Sequence, residues 1–235
     1  MPIALDDKGI KDLLGFARYL SWADLVRRAH EAEFRRRGEA GTTGNLWGAE
    51  FAWMSYWYGS LFVVIEAYES IGYSDPVVDS LLSHPGGYKK LLWRFRNGIF
   101  HYQADPIDPK LLDLLNRGEE HVLWVYALHD EFVRLSREQV DRFGMTEEVR
   151  AEVKRVINNL TGWLPDDPAR RDMDLTLERI RGIVSREPSP ELQRLHADLR
   201  AAVVEIPKIT GSYEQKRERF RRTLLQRLGV TIVEH

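Results

Sequence analysis

The sequence predicts an all-α protein, a four-helix up-down bundle with additional C-terminal helices. Three observations lead there. Between Ile10 and Phe143, apolar residues recur at steps of three and four. Glycines and prolines punctuate the ends of those stretches. An apolar share of 43% that includes seven tryptophans can bury enough surface to offset the entropy of ordering a 235-residue chain.

The first helix is expected from Ile10 to about Arg37, with Ile10, Leu13, Leu14, Ala17 and Leu20 on one stripe. Gly38, Gly41, Thr42, Thr43 and Gly44 then read as a loop. In the second helix Trp47, Phe51, Met54, Tyr58, Leu61, Ile65 and Tyr68 alternate steps of four and three. Trp53, Trp57, Phe62 and Val64 thicken that stripe, so this helix is expected to be central, with Trp57, Tyr58, Leu61 and Ile65 buried. Gly72 ends it. Asp75 and Pro76 suit the cap and first turn of a short helix to Ser83, and His84 to Gly87 form a turn. A third helix starts near Tyr88. Pro109 opens a fourth, expected to run to about Phe143 with Leu111, Leu115, Val122, Tyr126, His129 and Val133 inward.

Beyond Gly144 the elements become shorter and more charged. A helix is expected from Thr146 toward Trp163, a break at Pro165 to Pro168, a helix over Leu175 to Val184, another from Pro190, and a basic last helix from Tyr213 to Leu228. The chain is therefore divided into a helical bundle, residues 1–144, and a helical C-terminal extension or subdomain, residues 145–235.

Composition removes several function classes. Without cysteine there is no disulfide scaffold, thiol nucleophile or cysteine-ligated zinc. With no signal-peptide pattern in Met1 to Asp7, this predicts a cytoplasmic protein. The most apolar run, Phe51 to Ile65, is shorter than the roughly 20 residues of a membrane helix. No phosphate-binding glycine loop, H-E-x-x-H or G-x-S-x-G is present, and no histidine follows a glutamate by three positions. No metal or cofactor is expected. His121 and His129 lack ligand spacing and are read as buried or capping residues. At a formal charge of −2, any nucleic-acid role must rest on a local patch. Arg35 to Arg37, the group Lys89, Lys90, Arg94 and Arg96, and Lys216 to Arg227 are such patches, each either a solvated helix face or a phosphate site.

The remaining signal is the run Tyr88 to Tyr102, which contains Arg96-Asn97-x-x-x-His101. At about 100° per residue, Tyr88, Leu91, Leu92, Phe95, Ile99 and Tyr102 form a core stripe. Trp93 and Phe100 point nearly the opposite way, with Lys89, Arg96 and Asn97 around them, a mixture suited to a subunit interface. Asn97 and His101 are one turn apart, and Gly98 between them allows a local bend. An imidazole that exchanges protons near neutral pH, beside a permanently charged guanidinium, suits cleavage of a phosphodiester by the adjacent 2′-hydroxyl.

Arg96-Asn97-x-x-x-His101 at the end of a third bundle helix resembles the HEPN superfamily (higher eukaryotes and prokaryotes nucleotide-binding). Its ribonuclease members carry arginine, four to six residues, then histidine, with Asn, Asp or His often following the arginine. The resemblance covers roughly Leu46 to Phe143. It implies a metal-independent endoribonuclease, toxin-like, acting as a homodimer, with Arg96, Asn97 and His101 catalytic. Lys89, Lys90 and Arg94 would then guide RNA, and Trp93 and Phe100 would meet the second copy. The alternative is a non-catalytic nucleotide- or protein-binding module, antitoxin-like or a scaffold, with an antitoxin-like protein as a possible partner. In that case Arg96 pairs with a carboxylate and His101 merely ends the helix near its negative pole.

Overall fold

The computed structural model describes residues 8–39, 48–105, 108–142, 146–161 and 213–231. Among these, every regular element is a helix: α1 (Lys8–Glu39), α2 (Ala49–Ile71), α3 (Pro76–Leu82), α4 (Tyr88–Phe100), α5 (Pro109–Leu115), α6 (Glu119–Arg142), α7 (Glu147–Thr161) and α8 (Tyr213–Arg227). The all-α expectation holds. The loop at 41–44, the boundary near Gly144, the break at Pro165 to Pro168 and the helices expected over 175–184 and from Pro190 lie outside the described residues. Gly38, expected in a loop, is still helical in the last turn of α1.

Local chemistry sets several ends as anticipated. Gly72, at φ 78°, closes α2 with its N–H on the Glu69 carbonyl, while the Tyr73 N–H reaches the Tyr68 carbonyl. These two bonds satisfy orphan carbonyls through a left-handed glycine. The Asp75 carboxylate accepts from the Val77 and Val78 N–H groups, and Pro76 fills the first turn of α3. Asp108 caps α5 in the same way through Lys110 N–H at 2.7 Å.

The fourth expected helix is in fact two. A turn at Asn116 to Gly118, with Gly118 at φ 63°, separates α5 from α6. Leu115 and Val122 are seven apart, so the apolar phase carries across the break and conceals it. Gly118 was the available signal.

The described helices fold back on one another around one core. His30 Nδ1 lies 3.0 Å from the Glu50 carbonyl, while Phe16 meets Tyr73 edge-on at 5.6 Å, so α1 and α2 run antiparallel. Lys89 pairs with Glu69, whereas Phe100 lies against Gly59, so α4 is antiparallel to α2. Tyr126 reaches Glu31 and Phe132 reaches Phe16, making α6 antiparallel to α1. Trp57, Tyr58, Leu61 and Ile65 are all buried, as expected. Val153 of α7, Leu224 and Leu225 of α8, and Leu228 and Val230 beyond it pack into the same core.

The most enclosed helix is α6 rather than α2. Trp53, Tyr56 and Glu66 leave α2 with a solvent face, whereas the nine residues from His121 to His129 are all buried. Periodicity misses this because α6 carries polar groups that the fold satisfies internally. Trp124 Nε1 donates to the Leu81 carbonyl at 2.8 Å, and the Tyr126 hydroxyl donates to Glu31 at 2.9 Å. A buried polar group that keeps a hydrogen bond avoids most of its desolvation cost.

Candidate functional site

Helix α4 has one buried face and one that meets solvent. Tyr88, Leu92, Phe95 and Gly98 are buried, and Leu91 and Ile99 pack partly against the core. Tyr102, expected on the same stripe, is instead 94% exposed. Its helical projection does not apply, because α4 ends at Phe100 and His101 is already extended at φ −117° and ψ 137°. Gly98 lies at a close approach of two helices. A Cβ there would stand 2.8 Å from Leu111 Cδ2, so the missing side chain lets α5 press against α4.

The motif residues gather at the C-terminal end of α4. Arg96 Nη1 donates to Asn97 Oδ1 at 3.1 Å, and Arg96 Nη2 lies 3.9 Å from Glu66 Oε2 across the α2–α4 groove. Asn97 meets His101 through its main chain, its carbonyl accepting the His101 N–H at 3.3 Å. The His101 side chain is exposed. Gln103, unmarked by any sequence pattern, donates from Nε2 to the His101 carbonyl at 2.8 Å.

Two aromatic residues of α4 are half-exposed, Phe100 next to His101 and Trp93 two turns earlier. Trp93 is 47% and Phe100 49% exposed. Phe100 is committed on one side to its own chain, with its ring laid over Gly59 and 6.0 Å from the exposed Tyr56 ring. The neighbouring cations are mostly paired: Lys89 with Glu69, and Arg94 with Asp113 at 2.5 Å, while Lys90 is exposed. The third basic patch also points partly inward. Arg221 pairs with the buried Glu131, whose Oε2 also accepts from Arg134 Nε at 2.7 Å.

A second polar cluster, unforeseen from sequence, lies between α1, α2 and α6. Asp24, Arg27, Glu31 and His129 are all buried. Asp24 accepts from Arg27 at 2.8 Å and from Arg28 Nε at 2.7 Å, and Arg27 Nη1 reaches Glu31 at 2.8 Å. Trp57 Nε1 donates to His129 Nδ1 at 3.4 Å. An indole nitrogen can only donate, so Nδ1 must accept; the ring proton therefore sits on Nε2, 3.3 Å from Asp24 Oδ1. Burial would raise the Asp24 carboxyl, but Arg27 foremost, with His129 and Arg28, holds it well below the usual carboxylate range. The sequence assigned His129 a buried role without its partners. Apart from Arg28, whose side chain is partly exposed, the cluster is closed to solvent.

Among the described residues, no group of three His, Asp or Glu side chains is arranged to hold a metal ion, and no helix is long and apolar enough to cross a membrane. Comparison with protein-family models, curated protein sequences and solved structures finds no significant match.

Proposed function

We propose that the chain is a HEPN-type endoribonuclease that cleaves RNA without a metal ion and acts as a homodimer. The carrying observation is an exposed histidine just past a helix end, one turn from an Arg96–Asn97 pair and next to the half-exposed Phe100. The directions of α1, α2, α4 and α6, set by their side-chain pairs, agree with an up-down bundle of that type.

In this reading His101 moves the proton as general acid or base. The 2′-oxygen attacks the adjacent phosphorus, the bond to the 5′-oxygen breaks, and the products carry a 2′,3′-cyclic phosphate and a 5′-hydroxyl. Arg96 offsets the charge that builds on the phosphoryl oxygens. Asn97 bears on the guanidinium, to which its side chain is bonded, and on His101 through its carbonyl. Glu66 is no obstacle: a half-exposed pair at 3.9 Å contributes only about 0–1 kcal/mol, so a phosphate can displace it. Lys90, Lys89 and Arg94 guide the RNA backbone, the latter two after exchanging Glu69 and Asp113 for phosphate. The second copy covers Trp93 and the free side of Phe100.

The same ion pairs favour a second reading, a non-catalytic nucleotide- or protein-binding module of antitoxin or scaffold kind, in which these cations stay internally neutralised. One experiment separates the two. Wild type, His101→Ala and Trp93→Asp are sized by light scattering and incubated with single-stranded RNA in the presence of a chelator. The nuclease reading expects a wild-type dimer that cleaves, an inactive His101→Ala dimer, and an inactive Trp93→Asp monomer. A wild-type monomer at micromolar concentration, abolition of activity by chelator, or a fully active His101→Ala dimer would reject it.

A further inference from the structure

Just beyond the histidine, one side chain is bonded at both of its polar ends to the neighbourhood of the motif. Gln103 Nε2 donates to the His101 carbonyl at 2.8 Å and more weakly to the Asn97 carbonyl at 3.4 Å. Gln103 Oε1 accepts from Lys110 Nζ at 3.0 Å. Chemistry fixes the amide orientation, since an ammonium only donates and a carbonyl only accepts. The Asn97 carbonyl already accepts the His101 N–H, whereas the His101 carbonyl lies past the end of α4, where the helix has no further N–H groups to offer. Gln103 supplies the missing donor.

Lys110 is brought into range by the close approach of α5. A Cβ on Gly98 would stand 3.3 Å from Lys110 Cβ, so the bare glycine lets the first turn of α5 sit beside the end of α4. A chain of contacts thus runs from α5 through Lys110 and Gln103 to the residue where the backbone turns from helical to extended. The His101 imidazole is exposed, so the direction of its Cα–Cβ bond is set by backbone contacts of this kind.

We propose that Gln103 is a positioning residue that fixes His101 relative to Arg96, with Lys110 as its support. This role rests on the cleavage reading above. Gln103 touches no reacting atom; it acts through the main chain of His101, and a displacement of about 1 Å at a reacting group costs on the order of 100-fold in rate.

The test is Gln103→Glu, nearly identical in shape. The carboxylate keeps an acceptor for Lys110 but turns an acceptor and a negative charge toward two carbonyls, so the clamp on α4 is lost. Steady-state cleavage of a fluorescent RNA oligonucleotide should show kcat lower by on the order of 100-fold with KM raised far less, because the phosphate-binding cations stay in place and only the added charge opposes the RNA. Lys110→Gln, which retains a donor for Gln103 Oε1, should keep kcat within a few-fold, whereas Lys110→Met should fall toward Gln103→Glu. Amide hydrogen exchange at His101, followed by NMR in the same samples, should accelerate at least tenfold in Gln103→Glu. A kcat within twofold of wild type, or a change confined to KM, would overturn the positioning role. A wild-type chain that cleaves no RNA would overturn the cleavage reading and with it the catalytic part of this inference. Accelerated exchange would then still establish the clamp, and unchanged exchange would remove that too.

Discussion

Replacing Asp24 with asparagine tests whether the buried cluster, rather than apolar packing alone, holds α1 against α6. The substitution keeps the volume and leaves no cavity, so its effect is that of removing one charge. In the wild type that charge faces Arg27, Arg28 and His129. Breaking a buried ion pair from one side costs about 3–5 kcal/mol, because the partner charge stays buried. The low end of that range applies here. Glu31 still faces Arg27 at 2.8 Å, Arg28 is partly exposed and can turn to water, and asparagine retains one acceptor. A loss of about 3 kcal/mol lowers the unfolding midpoint by roughly 6–12 °C for a chain of this length. Circular dichroism at 222 nm, with heat and separately with urea, measures it. The loss must also depend on pH with a defined sign. Asp24 has a folded-state pKa held below its unfolded value of about 3.9, so its contribution is complete above that value and disappears as pH falls below it. The gap between wild type and Asp24→Asn should therefore narrow from about pH 5 toward pH 2. Arg36→Ala, which removes an exposed pair with Glu33, serves as a control and should leave the midpoint in place. If Asp24→Asn unfolds with the control, or if the gap widens in acid, the cluster is not what joins these helices.

Gly59→Ala should disturb the site without unfolding the chain. Its Cβ would stand 2.9 Å from Phe100 Cζ and closer still to Cε2, so the ring beside His101 must move off α2. Alanine favours a helix interior by about 1 kcal/mol over glycine. A midpoint that gains this in full, with cleavage unchanged, would show that the ring is not held there; the expected result is no gain and a cleavage rate at least tenfold lower. At the alkaline end, burial, and then Asp12, pushes the Tyr73 hydroxyl up to about 12, and burial raises Tyr68 and Tyr88 as well. Folded-state values above the unfolded value of about 10 mean that stability is full below pH 10 and is lost as pH rises through 12. Urea midpoints across that interval should fall, and Tyr73→Phe should flatten the decline; a flat wild-type profile would contradict it.

Elements whose signals are local were legible in the sequence. The helix-capping bonds of Asp75, followed by Pro76, and of Gly72 and Tyr73, after an apolar stripe, reach residues at most five positions away. Such chemistry is written in consecutive letters. The stripe through Trp57, Tyr58, Leu61 and Ile65 was readable for the same reason, since one helix face needs only a period. What failed was inference carried across a break. A helical projection puts Tyr102 on the core, but the helix ends two residues before it, and the apolar phase joins Leu115 to Val122 across the turn at Gly118.

The cluster at Asp24 had no local signature. Its bonds join residues 105 positions apart, Asp24 to His129, and 72 apart, Trp57 to His129. On α1 alone, Asp24, Arg27, Arg28 and Glu31 read as the i, i+3 and i, i+4 pairs of a solvated face, which typically contribute about 0.2–0.5 kcal/mol each. Once α6 covers them, the same pairs lie where removing one partner costs several kcal/mol. Gln103 shows the same dependence at the candidate site: in sequence it is a polar residue after a motif, and it gains a role only because α5, entering seven residues later, brings Lys110 to its oxygen. The R-N-x-x-x-H letters therefore locate a place where proton transfer could occur, while the accuracy with which His101 is held depends on a neighbour the motif does not contain. For that reason Gln103→Glu, which leaves every motif letter intact, is a sharper test of the site than any substitution within the motif.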